Sequence, residues 1–467
     1  MANTRKRAFT ALSSSGTFVC LPSHPRPAHE PPLPLNLSSE MVRTRSTASH
    51  SFRAKSGTRW NASLPGSGAQ DAPKLSGRFS PRQRGLCPIP HFALTLRHSI
   101  LTSLALALLA CGCTSLPKRS FPVGIYSVPS TADFPEIRQA GFDVVVGPAT
   151  WDYLGAAGQA GLKVLANLPP PGRRSPDDLR KLDAHPALWA WYLIDEPDLN
   201  SVPPAQVRMS QRKLKESGAR KPSALTLYQG YEALDYGNIT DLLIVDRYPI
   251  PWLALANFGQ HINMGRLAIG PDKPLFAVIQ AFDWTAYPGM LRTPSSLRPP
   301  VYAELRCMAY EAVARGANGI FFYEFDGQWK MREHPELWES LKQVVGEIRA
   351  REPLFQGQRL WWAKEHDFAD PAFAFNAALE SSITATLLRV TAGNDSVPAG
   401  DYILAINNTS HEIQYSFALP PRPASSAGET LRVLGENRSL PPANNRVGDT
   451  FAAYAIHVYG PIHSATP

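Results

Sequence analysis

Residues 189–198 read WAWYLIDEPD, an apolar run that ends on two adjacent carboxylates, Asp195 and Glu196, before Pro197. A continuous apolar run is typical of a strand that is covered on both faces, as in a parallel sheet. Charged residues directly after such a run indicate that the strand emerges at a polar surface. The rest of the chain has to show what that surface is.

Eight segments of this kind alternate with helical segments between residues 121 and 354. Their positions are FPVGIYSV (121–128), FDVVVGP (142–148), LKVLANLP (162–169), LWAWYLIDEP (188–197), SALTLY (223–228), LLIVDRYP (242–249), LFAVIQAF (275–282) and GIFFYEFD (319–326). Eight βα units in this order predict a (β/α)₈ TIM barrel, class α/β, over residues 121–354. An open doubly wound sheet is the alternative, but no Gly-rich dinucleotide loop follows the first strand.

Helix boundaries in this region carry their own signals. Ser175 followed by Pro176 predicts a capped helix start. Left-handed helix ends are predicted at Gly141, Gly161, Gly218 and Gly316.

The pattern changes after residue 354. Short alternating segments at 401–420, 429–437 and 449–460 are separated by Pro, Gly and Asn turns. They predict a small antiparallel β-sandwich over residues 355–467.

Charge and composition set the first part of the chain apart. The net charge is +8, but residues 1–100 hold 14 Lys/Arg and 3 Asp/Glu, a contribution of +11 that leaves −3 for the remainder. A nearly neutral folded region argues against a nucleic-acid partner. Residues 1–94 are rich in Ser, Pro and Arg without periodicity, which predicts a disordered leader upstream of the true start.

Residues 95–111 have the pattern of a secretory signal. Arg97 and His98 precede the apolar run 99–110, which is too short to span a bilayer. Its end, LLAC at 108–111, resembles the bacterial lipoprotein box, which implies lipidation of Cys111, a membrane anchor and a place in the cell envelope. By that resemblance Gly112 favours the outer membrane, and the alternative is an ordinary signal for a periplasmic or extracellular protein.

Candidate site residues lie at the predicted strand ends, where a barrel gathers its reactive groups. The catalytic candidates are Asp195, Glu196 and Glu324. The substrate-binding candidates are Trp151, Tyr228, Asp246, Arg247, Tyr248, Gln280, Asp283 and Trp284. Carboxylates can serve as acid and base while aromatic rings pack on sugar faces, so the predicted partner is a carbohydrate. No metal site or cofactor is predicted, because zinc-like His/Cys spacing and a phosphate loop are both missing from the sequence.

Structural roles are open for several of these residues. Glu196 could cap a helix or form a salt bridge, Asp246 and Tyr248 could form a turn before Pro249, and Glu324 could bind an arginine.

The segment Phe121–Phe355 resembles the barrels of the clan A glycoside hydrolases, and the C-terminal region resembles the small β-domain often joined to them. In that clan the fourth strand ends in Asn-Glu, frequently followed by Pro. The match to Asp195-Glu196-Pro197 implies that Glu196 is the general acid/base, and Tyr248 resembles the tyrosine that orients the nucleophile.

The resemblance fails at the seventh strand, where Gln280 takes the place of the nucleophilic glutamate. Three hypotheses remain. Glu324 or Asp283 could serve as nucleophile or base of a glycosidase, or Asp195 could assist a substrate acetamido group, as in hexosaminidases. In the third, the barrel is catalytically inactive and binds glycan as a surface lipoprotein.

Overall fold

The computed structural model describes residues 120–170, 172–287, 297–360, 382–423 and 428–462. Eight parallel strands close into a barrel in chain order, which confirms the predicted fold. The strands are β1 (Val123–Ile125), β2 (Val144–Pro148), β3 (Lys163–Asn167), β4 (Leu188–Asp195), β5 (Ser223–Leu227), β6 (Leu242–Asp246), β7 (Leu275–Gln280) and β8 (Gly319–Tyr323).

Helices connect the strands around the outside of the barrel. They are α1 (Phe134–Gln139), α2 (Trp151–Gln159), α3 (Pro176–Asp183), α4 (Pro204–Glu216), α5 (Ala233–Tyr236), α6 (Leu255–Ile269), α7 (Tyr302–Ala314), α8 (Pro335–Ala350) and α9 (Glu352–Phe355). Ser175 caps α3 through a reciprocal capping box with Asp178, as predicted. The four glycines predicted at helix ends all have positive φ angles.

Close packing in the barrel interior explains one glycine of β1. A Cβ on Gly124 would lie 2.2 Å from the ring of Phe321 on β8. Only glycine leaves room for that ring, so the first strand can pair with the last and close the barrel.

The C-terminal region is antiparallel, as predicted. Its strands are β9 (Gln358–Leu360), β10 (Ile383–Val390), β11 (Gly400–Asn407), β12 (Ile413–Ala418), β13 (Leu431–Arg432), β14 (Ser439–Leu440), β15 (Arg446–Phe451) and β16 (Ile456–Ile462). A four-stranded sheet, β16-β11-β10-β9, accompanies two two-stranded sheets. Apolar residues of β10, β11 and β16 join the barrel core, so the four-stranded sheet packs against the barrel.

The predicted leader (1–94), signal (95–111) and lipidated Cys111 lie outside the described residues. Within the described ranges, no helix has both the length and the apolar character that crossing a membrane requires.

Candidate active site

A bulge near the end of β4 sets the direction of its last side chains. Tyr192 pairs with Ala224 of β5, but the next pair joins Ile194 to Leu225, which leaves Leu193 as an extra residue. A bulge shifts the alternation of side chains by one position. Tyr192 and Asp195 consequently meet, with the Tyr192 hydroxyl donating to Asp195 Oδ1 at 2.5 Å.

Glu196 has a backbone conformation that is rare for a residue with a side chain, with a φ of 41°. Its N–H donates to the Thr226 carbonyl at 3.0 Å, and its carbonyl accepts from Asn200 N and Nδ2, both at 2.9 Å. These bonds hold the strained position. Its side chain is only 1% exposed, whereas that of the neighbouring Asp195 is exposed.

Tyrosines form the floor of the barrel mouth beside these carboxylates. The hydroxyls of Tyr126 and Tyr192 lie 3.3 Å and 2.8 Å from Thr226 Oγ1. Burial, followed by the charge of Asp195, raises the pKa of Tyr126 well above its ordinary value, and the charge of Asp246 adds to this. The charges of Asp195 and Asp246 therefore both raise the pKa of Tyr126. Its hydroxyl stays protonated over the working pH range and can donate a hydrogen bond.

Asp198 belongs to the same site, although it was not predicted. Its carboxylate accepts from the N–H groups of Tyr228 at 3.2 Å and Gln229 at 2.8 Å, which ties the segment after β4 to the segment after β5. Burial raises the pKa of Asp198 from 3.8 to about 6, and the charge of Glu196 adds to the shift while the two hydrogen bonds oppose it. The sequence feature that could have indicated Asp198 as a site residue is its position two residues after Glu196, just beyond a strand end.

The raised pKa of Asp198 predicts a pH-dependent stability. Because the folded-state pKa of about 6 exceeds the ordinary 3.8, ionisation costs stability, which falls as pH rises from about 4 to 6. Relative to Asp198→Asn, the wild type should lose about 2–3 kcal/mol of unfolding free energy between pH 4 and pH 7. Urea unfolding of both proteins across this range measures the difference. A difference that does not change with pH would contradict the assignment.

Arg247 and Tyr228 lie together at the ends of β6 and β5. The Arg247 guanidinium carbon is 4.6 Å above the Tyr228 ring centroid, and its Nε donates to Asn257 Oδ1 at 2.7 Å. Since the Tyr228 backbone is held by Asp198, the ring and the cation occupy fixed places beside the mouth.

Glu324, predicted as a catalytic residue, is held by three loops. Its Oε1 accepts from the Tyr287 hydroxyl and from Trp329 N at 3.0 Å, and its Oε2 accepts from Ser127 Oγ at 2.9 Å. The side chain is 1% exposed. Donors on both carboxylate oxygens favour a structural role for Glu324 over that of a nucleophile.

Gln280 uses its amide on the backbone of the next loop. Its Oε1 accepts from Ile250 N at 2.9 Å, and its Nε2 donates to Ile250 O at 2.9 Å and Phe282 O at 3.2 Å. The side chain is 0% exposed. These contacts argue against the predicted direct contact with substrate and assign Gln280 to holding the loop.

Three further candidates have contacts of their own. Tyr248 is buried and stacks on Tyr323 with ring centroids 5.6 Å apart. Trp284 is buried and donates to Ile250 O at 2.8 Å. Asp283 caps a short 3₁₀ turn by accepting from Thr285 N at 2.8 Å through Oδ1.

Trp151 does not face the mouth, in contrast to the prediction. Its ring lies 5.1 Å from that of His185, which belongs to the turn before β4 at the amino-terminal end of the barrel. The first residue of α2 therefore directs its ring down the outer surface. Its direction depends on the helix rotation, which the sequence did not reveal.

Concave pockets also occur at the amino-terminal end of the barrel. One is lined in part by Arg180, Asp183 and Arg220, and another by Arg138, Asp143 and Arg349. Both lie on the face opposite to the carboxylates of β4. We place the candidate site at the carboxyl-terminal face, because the strained glutamate, the exposed Asp195 and the tyrosine hydroxyls converge there.

In the part of the chain that the structure describes, no three His, Cys, Asp or Glu side chains are grouped so as to hold a metal ion. Among the described residues, the side chains at the mouth include carboxyl groups, tyrosine hydroxyls and the Arg247 guanidinium.

Comparisons with known proteins found only weak overall similarity to solved structures. No family model matches the sequence, and no curated protein is significantly similar to it. An Anoxybacillus α-amylase superposes with a TM-score of 0.44 and 11% identity, covering 72% of this chain and 90% of that chain. A family 42 β-galactosidase from G. stearothermophilus gives 0.47 and 8%, covering 73% and 98%. A family 5 glycoside hydrolase from Bacteroides vulgatus gives 0.46 and 12%, covering 74% and 90%. Similarity at this level carries no residue role or substrate to this chain.

Proposed function

We propose that the protein is a glycoside hydrolase that cleaves an oligo- or polysaccharide, with Glu196 as the proton donor and general acid/base. The observation that supports this most is a carboxyl group that is 1% exposed and carried at a φ of 41° at the end of a barrel strand. A left-handed conformation costs about 1–2 kcal/mol for a residue with a Cβ. Such strain concentrates at functional sites.

A glycosidase needs a second carboxylate besides its acid. Glu324 and Asp283 are engaged in structural hydrogen bonds, and Gln280 is an amide. The candidates that remain are Asp195, which is exposed, and Asp246 at the end of β6. Either can activate water, and Asp195 can alternatively orient an acetamido group of a substrate, as in the hexosaminidase-like hypothesis.

A second candidate function is carbohydrate binding without catalysis. The observation that favours it is the structural use of both Gln280 and Glu324, since an amide is not a nucleophile and the Glu324 carboxylate holds the loops. The tyrosine floor would then bind sugar hydroxyls without turnover.

Product formation separates the two functions. The full chain is incubated with a panel of soluble polysaccharides and aryl glycosides, and released sugars are measured by reducing-end assay and mass spectrometry. We expect products from at least one substrate class. Saturable binding to a glycan that is never cleaved would instead establish the binding function.

The cellular location of the protein is a separate proposal. We infer that Cys111 carries a lipid and anchors the protein in a bacterial envelope, with the outer membrane as the favoured site. Expression with radiolabelled palmitate tests this, because Cys111→Ser should abolish labelling and Cys113→Ser should not. Equal labelling of both variants would overturn it.

A further inference from the structure

Trp252 is a large apolar side chain left exposed beside the barrel mouth. It lies in the segment between β6 and α6, and 49% of its surface is exposed. One face of its ring packs on Trp284, with centroids 5.2 Å apart and an angle of 35° between the planes. Because Trp284 is buried, it supports the exposed ring from below. An exposed tryptophan on a fixed support is suited to stack on the apolar face of a sugar.

The backbone beneath Trp252 is fixed by Gln280. The side-chain amide of Gln280 pairs with both the N–H and the carbonyl of Ile250, and the same carbonyl accepts from Trp284 Nε1 at 2.8 Å. Leu253 N donates to Pro249 O at 2.8 Å, which closes the turn. A loop held in this way loses little conformational entropy when a ligand binds.

A row of aromatic rings connects the carboxylates to this loop. Successive centroid distances are 5.7 Å from Tyr126 to Tyr323, 5.6 Å to Tyr248, 6.3 Å to Trp284 and 5.2 Å to Trp252. Asp195 and Asp246 act on the inner end, at Tyr126. Trp252 is the exposed outer end. An oligosaccharide could contact both ends of the row, with one sugar at the carboxylates and another at Trp252.

We propose that Trp252 is the platform for a distal sugar of an oligosaccharide whose reacting bond lies at the β4 carboxylates. Gln280 is the positioning residue that holds this platform. The inference rests on the proposed function for the inner end of the row, and it adds the place where a distal sugar binds.

The test compares Trp252→Ala with Trp151→Ala in the full chain. Trp151 is a matched control, because it is 52% exposed and its ring lies against His185, away from the mouth. Binding of cello-, xylo- and malto-oligosaccharides of two and six units is measured by calorimetry. We expect Trp252→Ala to weaken hexasaccharide binding at least about ten-fold, with a smaller loss for the disaccharide, and Trp151→Ala to bind as the wild type does. Equal behaviour of the two variants would overturn the proposal.

Gln280→Glu tests the positioning role. A carboxylate oxygen in place of Nε2 would face the carbonyl oxygens of Ile250 and Phe282, which now accept at 2.9 and 3.2 Å. The loop should be released, so we expect the same length-dependent loss as in Trp252→Ala and a changed tryptophan emission spectrum. Unchanged preference for hexasaccharide would reject the role of Gln280.

The outcomes separate this inference from the proposed function. Length-dependent binding without any product would retain the Trp252 platform and reject hydrolysis. Hydrolysis with rates and affinities insensitive to Trp252→Ala would retain the enzyme and reject the platform.

Discussion

Replacing Glu196 with glutamine is expected to lower turnover about 10²–10⁴-fold, the usual cost of losing a general acid. Glutamine has nearly the same shape and can occupy the same 1%-exposed space, but it cannot donate a proton to a leaving oxygen. The backbone bonds to Thr226 and Asn200 do not involve the side-chain carboxyl, so the left-handed position should persist. Initial rates on the best substrate of the wild type measure the effect.

A matched control is Glu339→Gln on the exposed surface of α8, where Glu339 pairs with Lys342. Both variants should unfold at temperatures close to that of the wild type, and only Glu196→Gln should lose activity. Full activity in Glu196→Gln would show that another group supplies the proton. Asp195→Asn then tests whether the neighbouring carboxyl group, which is exposed, supplies the proton in place of Glu196.

The barrel could be predicted from the sequence because its eight strands are covered on both faces and read as continuous apolar runs. β10 was not among the predicted strands. Its residues Ile383–Val390 are buried almost throughout, between the barrel and the rest of the β-domain. That burial depends on packing against the barrel and the other sheets, which no local pattern in the sequence shows.

The place of the site was predictable, but the use of each side chain was not. Strand ends in a barrel converge, so Asp195, Glu196 and Asp246 could be expected at one face. The partner of Gln280 lies thirty residues earlier, at Ile250, and no local pattern joins the two. The bulge at Leu193 likewise arises from pairing with β5 rather than from the sequence of β4.

Replacing Glu324 with alanine should lower the stability of the protein far more than replacing it with glutamine. Alanine would leave Trp329 N–H and the Tyr287 hydroxyl without their acceptor and open a cavity, so we expect the free energy of unfolding to fall by about 3 kcal/mol or more. Glutamine can keep Oε1 as the acceptor of both donors while its Nε2 turns to Ser127 Oγ, a hydroxyl that can accept. Glu324→Gln should therefore cost no more than about 1–2 kcal/mol.

Activity then decides between the two roles of Glu324. If its carboxylate only holds the loops, Glu324→Gln should keep most of the turnover while Glu324→Ala loses it together with stability. If it were the nucleophile, glutamine would abolish turnover in a stable protein. Gly327→Ala provides an independent check, because a Cβ there would lie 1.7 Å from Glu324 Oε2 and must displace the carboxylate. A loss of stability in Gly327→Ala that matches Glu324→Ala would tie the loop after β8 to this carboxylate as its anchor.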